Sequence, residues 1–140
     1  MGSDHDSILN TPFWNRGKVI AKTFSATVLG IDAYLIEVEV DVSVGMSVFN
    51  IVGLPDGTIK ESRDRILSAV NNSGYSFPVR RVVVNLAPAS LRKIGSGFDL
   101  PIALALLGTM GLFPPENLSR AMVVGELSLD GEIRPVRGIL

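Results

Sequence analysis

Between positions 36 and 42 the chain alternates without a break. Ile36, Val38, Val40 and Val42 share one parity, and Glu37, Glu39 and Asp41 share the other. Successive side chains of a strand point to opposite faces, so this run demands a strand with one face to bury and one to leave wet. A sheet built around such a strand needs cover on a single side.

The flanking sequence extends the pattern. The whole stretch from Lys18 to Val44 reads as beta, with Gly30 at a turn between two strands and Gly45 breaking the second. MSVFNIVGL reads as a third strand, ended by Gly53-Leu54-Pro55-Asp56-Gly57. Thr58 and Glu61 then have the spacing of a capping box that opens a helix. Ile59, Ile66 and Val70, with Leu67 and Ala69, form its apolar stripe, while Lys60, Glu61, Arg63 and Asp64 stay wet. Gly74 suits the left-handed position that closes such a helix.

Arg80 and Arg81 lead into VVVNLAP, a short buried strand. A second helix is expected from about Leu100 to Gly111, apolar nearly all round and therefore central; Pro114-Pro115 stop it. AMVVGELSL and EIRPV then flank Asp130-Gly131, a hairpin signal. The order is β-β-β-α-β-α-β-β, and helices on one face of a mixed sheet are its economical α/β (α+β) arrangement. Residues 1–17 read as a flexible lead-in, with Phe13 and Trp14 as the groups able to dock. The apolar stop at Leu140 suggests a piece of a longer protein.

The chemistry open to the chain is narrow. Among its 140 residues there is no cysteine, and the single histidine, His5, lies in the polar lead-in. Disulfides, thiolate sites and multi-histidine metal sites are therefore excluded, and a Ser-His-Asp triad would have to recruit His5 from the lead-in. A covalent mechanism would need Ser or Thr with Lys as base. The net charge of −1 argues against a strongly basic nucleic-acid module while leaving a local basic patch open. MGSDHDSILN lacks the pattern of a secretory signal, and Asp6 breaks the myristoylation pattern. The run from Leu100 to Phe113 is too short to span a bilayer. The expectation is a cytoplasmic protein with no membrane contact.

One stretch, RKIGSGFD at 92–99, concentrates the functional question. A glycine-rich turn ahead of a helix offers free N–H groups to an anion, with Arg92 and Lys93 in reach. Its spacing is wrong for a P-loop, and Asp99 would repel a phosphate at the helix mouth. A Ser-Lys dyad would use Ser96 with Lys93. The structural alternative has Gly95 and Gly97 making the turn while Ser96 or Asp99 caps the helix, with Arg92 as another partner for Asp99. Arg80, Arg81, Arg92 and Lys93 bracket one strand; they read either as its solvated ends or as the candidate contacts to DNA or to a neighbouring domain. Glu126, inside an apolar strand, reads as structural, either facing water in alternation or buried with a partner such as an arginine, and Asn85 reads as a hydrogen-bonding brace for a neighbouring loop.

FSATVLGIDAYLIEVEVDVSVGMSVFNIVGLPDGTIKESRDRI, VVVNLAPASLRKIGSGFDLPIALALL and VVGELSLDGEIRPVRGIL together resemble the N-terminal domain of the YifB/ComM family of magnesium-chelatase-like AAA+ ATPases, over residues 18–140. The resemblance implies the ribosomal-protein-S5-domain-2-like fold shared with the Lon proteolytic domain and the C-terminal domain of RadA. It implies an ATPase module after this domain; ATP and Mg2+ belong to that module, and no cofactor is expected in residues 18–140. Laying the serine turn of Lon on GSGFD puts Gly97 where the nucleophile belongs, one residue from Ser96, and puts the Lon lysine at or past Leu140. The resemblance thus implies a Lon-like scaffold without the catalytic dyad. For ComM-type members it implies a homo-oligomeric, hexameric ring acting on DNA in branch migration during natural transformation, with this domain as a non-catalytic accessory part. The rival reading is a degenerate Lon-like Ser-Lys peptidase domain.

Overall fold

A computed structural model describes residues 19–77 and 80–136. The alternating run lies in the second of two long antiparallel strands, β1 (Val19–Leu29) and β2 (Asp32–Ser43), with Val19 opposite Val42 and Leu29 opposite Asp32. Gly30 turns the corner at φ 65°, a conformation that favours glycine. β3 (Val48–Val52) and β4 (Arg81–Ala87) complete a four-stranded mixed sheet ordered β1-β2-β4-β3. β4 is antiparallel to β2 and parallel to β3. A parallel pair cannot be joined by a tight turn, and the crossover between β3 and β4 carries two helical pieces. These are α1 (Gly57–Lys60) and α2 (Ser62–Asn72). After β4 come α3 (Asp99–Thr109), a 3-10 helix (Pro115–Arg120), and the short pair β5 (Glu126–Leu127) and β6 (Ile133–Arg134).

The alternation does what the sequence demands. Ile36, Val38 and Val40 are wholly buried, and with Val82, Val84 and Leu86 of β4 they share one core with Ile66, Ala69 and Val70 of α2 and Ile102, Ala105 and Leu106 of α3. Burying each of the valine, leucine and isoleucine side chains contributes about 1.5–3 kcal/mol. The opposite face keeps its charges. Lys22 Nζ lies 3.3 Å from Glu37 and 3.8 Å from Glu39. Asn85 Nδ2 donates to Glu39 Oε1 at 3.0 Å, so Asn85 braces a neighbouring strand and not a loop.

Helix α2 stops as expected. Gly74 sits at φ 93°, its N–H donates to Asn71 O at 3.1 Å, and Tyr75 N donates to Val70 O at 3.2 Å, the paired bonds of a Schellman motif. Its start differs. Asp56, not Thr58, caps the first turn, accepting from Ile59 N at 2.9 Å, and the helical run breaks at Glu61 between α1 and α2. AMVVGELSL is strand only at Glu126–Leu127, with a separate bridge joining Met122 to Phe24 at the edge of β1. Phe13 and Trp14, with the rest of residues 1–18, lie outside the described residues.

Candidate functional site

The RKIGSGFD turn is tied to the rest of the molecule from both ends. Lys93 forms a bridge with Pro55: its N–H donates to Leu54 O at 3.1 Å, and its carbonyl accepts from Asp56 N at 3.0 Å. This turns the Lys93 side chain inward, where it is wholly buried. Its Nζ donates to Gly53 O at 2.7 Å and also to Pro88 O. Burial pushes the ammonium below the ordinary lysine value. Gly53 has no latitude here, since a Cβ at that position would stand 2.1 Å from Leu86 O. Lys93 therefore cannot serve as a surface contact to DNA, and its ammonium is held by main-chain carbonyls instead of facing a serine.

The first glycine N–H of the turn is also engaged. Gly95 N donates to Asp56 Oδ2 at 3.2 Å, so a carboxylate of the same chain occupies one arm of the anion cradle. The same Asp56 caps α1, which joins the two helix-opening turns through one side chain. Ser96 is half-buried, and its carbonyl accepts from Asp99 N at 3.3 Å. A Cβ at Gly97 would lie 3.0 Å from Val124 and 3.3 Å from Val136. The position that the Lon comparison gives to a nucleophile is thus packed against two valines.

Asp99 neither caps α3 nor meets Arg92. The helix opens at Phe98 with no side-chain cap. Asp99 is wholly buried and accepts from Ser62 Oγ at 2.5 Å, Arg65 Nε at 2.7 Å, Arg65 NH2 at 3.0 Å and Leu127 N at 3.1 Å. Arg65 also reaches Thr58 O at 2.9 Å and lies 3.7 Å from Glu61. The bonds to Asp99 raise the Arg65 pKa above its ordinary value, with smaller contributions from the charges of Asp99, Glu126 and Glu61. Glu126 is half-buried in β5, where its charge adds to the field at Arg65. A bidentate carboxylate–guanidinium pair with its remaining valences filled is the arrangement under which a buried ion pair is tolerated. This knot fastens α2, α3 and β5 together.

The four basic candidates do not make one patch. Arg80 and Arg81 stand at the start of β4, and Arg92 and Lys93 lie past its other end. Seven residues of strand separate the pairs by roughly 20 Å. Arg92 and Arg81 are exposed, Arg80 is half-buried, and Lys93 is interior. Alternation sends Arg80 to the side of Val82, which is the helix side, and Arg81 to the open face. Arg80 instead joins Arg63, which the sequence placed only on a wet helix face. Both line a cleft of about 160 Å³ between the start of β4 and α2. The positions Arg63, Leu67 and Asn71, spaced four apart, all line it, a signal that was present in the sequence.

A nucleotide's phosphates do not fit the glycine turn. The glycine turn has Asp56 on its N–H and Asp99 behind it, which leaves no room for a triphosphate's charge. Among the described residues, no group of three or more His, Cys, Asp or Glu side chains is placed to hold a metal ion. Among the same residues, no helix is long and apolar enough to cross a membrane.

A mixed sheet with helices on one face, and a glycine-serine turn locked into its scaffold, define an α/β module. The chain belongs to the family described as subunit ChlI of Mg-chelatase, which its residues 38–140 match. It is 46% identical over 112 residues to YifB of Escherichia coli K12, covering 80% of this chain and 22% of that protein. It is 40% identical over 121 residues to the competence protein ComM of Haemophilus influenzae, covering 86% of this chain and 24% of that protein. An uncharacterized protein of Mycobacterium tuberculosis H37Rv is 44% identical over 121 residues, with the same 86% and 24% coverage. The YifB/ComM resemblance is thereby established, and the chain spans about a quarter of the length of these relatives.

Proposed function

We propose that this chain is a non-catalytic accessory domain of a ComM-type AAA+ ATPase, supporting ring assembly and DNA contact by the whole protein. ATP and Mg2+ would act in the ATPase module, and the recombination role of ComM-type proteins would belong to the assembled ring. The observation that carries this reading is the state of the serine turn. Lys93 is held by two backbone carbonyls, Gly95 N–H by Asp56 and Asp99 by Arg65, so the groups a hydrolase would use are occupied by the scaffold. That arrangement favours a scaffold over the Ser-Lys peptidase reading of Ser96.

Interaction is supported by what the sheet leaves open. Its outer face has no helix over it among the described residues, and Ile20, Tyr34 and Leu35 are exposed there or at its rim. β3 ends the sheet order, and the charged Arg81 lies beside it. Exposed apolar groups on an uncovered sheet mark a contact surface.

The test compares the full-length protein with a version lacking residues 19–136. Sedimentation velocity reads the oligomer, and fluorescence anisotropy with oligonucleotides across a salt series reads DNA contact. The deletion is expected to dissociate the ring and flatten the salt dependence. An unchanged oligomer together with an unchanged salt slope would overturn the proposal.

A further inference from the structure

We propose that the cleft between Arg63 and Arg80 is a binding site for a phosphoryl group. Two arginines line this cleft of about 160 Å³, with Ser47 and Asn71 as further donors. None of the described residues that line it is acidic. Arg80 Nε is out of reach of water and has no hydrogen-bond partner. No ion pair forms at either arginine among the described residues, whereas Arg65, two positions along α2, has three carboxylates around it. Among the described residues no acceptor reaches the Arg80 Nε–H, which leaves it open to a ligand's oxygen.

The shape of the donor set selects the ligand. Arg63 projects from α2 and Arg80 from the start of β4, so their forks approach from different walls. One planar carboxylate satisfies one fork, while a tetrahedral phosphoryl group offers non-coplanar oxygens to two forks and to the hydroxyl and amide beside them. Phe49 and Phe77 give the cleft an apolar side, which suits a phosphate ester carried on an organic skeleton. The nucleic-acid backbone is one such source and a free nucleotide another. If the source is nucleic acid, the inference rests on the DNA-contact reading above.

The experiment titrates this chain, and its Arg63→Ala, Arg80→Ala and Arg80→Lys variants, with inorganic phosphate, a nucleoside monophosphate, a single-stranded oligonucleotide and a polyglutamate peptide. The Arg80 Nε–Hε resonance reports occupancy of the cleft, and anisotropy reports the oligonucleotide. Phosphate is expected to shift that resonance in the wild type. Either alanine variant should weaken phosphoryl ligands about tenfold, and Arg80→Lys, which keeps the charge and loses the fork, should recover only part. The exposed position of Arg63 keeps the test independent of any folding defect at Arg80. With oligonucleotide as the source, each alanine variant should lower the salt slope by about one.

The arms separate the two proposals. Monophosphate binding that needs Arg80, without oligonucleotide binding, upholds the cleft and removes this domain's DNA contact. Oligonucleotide binding that ignores both variants upholds DNA contact and overturns the cleft. Polyglutamate as the sole ligand that needs Arg80 would make the site one for carboxylates and overturn the phosphoryl assignment, as would no response to any probe.

Discussion

Arg63 and Arg65 stand two residues apart on α2 and meet opposite electrostatic worlds. Two steps along a helix turn the side chain about 200°, so one arginine faces α3 and the other faces the end of the sheet. Arg65 finds Asp99 at 2.7 Å, with Ser62 and Leu127 filling the carboxylate's other positions. Arg63 shares a cleft with Arg80 and with no acid among the described residues. The first arrangement is complete within the chain, and the second is complete only with a ligand. A family built on one scaffold can keep the first for stability while the second carries contact to something else.

The sharpest way to break this contrast is to remove Asp99. Asp99→Leu leaves Arg65 without its principal partner and orphans Ser62 Oγ and Leu127 N, so a loss of about 3–5 kcal/mol is expected in urea denaturation. The double variant Asp99→Leu with Arg65→Met should recover a substantial part, because an apolar pair replaces the whole ion pair. Equal loss in single and double variants would show that the packing around the knot matters, and not the unpaired charge.

Much of this architecture was readable in advance and the knot was not, for a physical reason. The parity of Ile36 to Val42 forces a one-sided strand, and Gly74 forces a helix end, because both signals are local. The Asp99–Arg65 pair joins residues 34 apart, and the anchors of Lys93 come from Gly53, 40 residues earlier, and from Pro88. A lysine beside an arginine in a polar turn reads as solvated unless the surrounding carbonyls are known. Thr58 and Glu61 have the right spacing for a cap, yet Asp56 wins because its carboxylate serves Ile59 N and Gly95 N together. Arg80 was singled out from sequence and Arg63 was not, since only the folded chain shows the two sharing one cleft.

Lys93 offers a second, smaller test, because it is a charge accommodated by carbonyls alone. Its folded pKa is lowered by burial from 10.5, so between the folded value and 10.5 the unfolded chain binds more protons than the folded one. Stability contributed by this group therefore rises with pH through that alkaline window and is level below it. Lys93→Met removes the group from both states. The stability of the wild type relative to Lys93→Met should grow as pH climbs toward 10.5, measured by urea midpoints at closely spaced pH values. A flat difference would mean that the two carbonyls compensate the charge as fully as Asp99 compensates Arg65.

Arg80→Met should have the smallest effect and the opposite sign to Asp99→Leu. Methionine keeps the apolar stem that packs near Val82 and discards a buried Nε–H that has no acceptor. It also removes one of two like charges facing the same space. In chloride buffer free of oxyanions, a gain of about 0.5–1 kcal/mol is therefore expected. Adding phosphate should then stabilise the wild type and leave Arg80→Met unmoved, since a ligand that binds only the folded state stabilises by mass action. If Arg80→Met instead destabilised the ligand-free chain by as much as Asp99→Leu, Arg80 would have to be as well compensated as Arg65, and the two faces of α2 would no longer differ in kind.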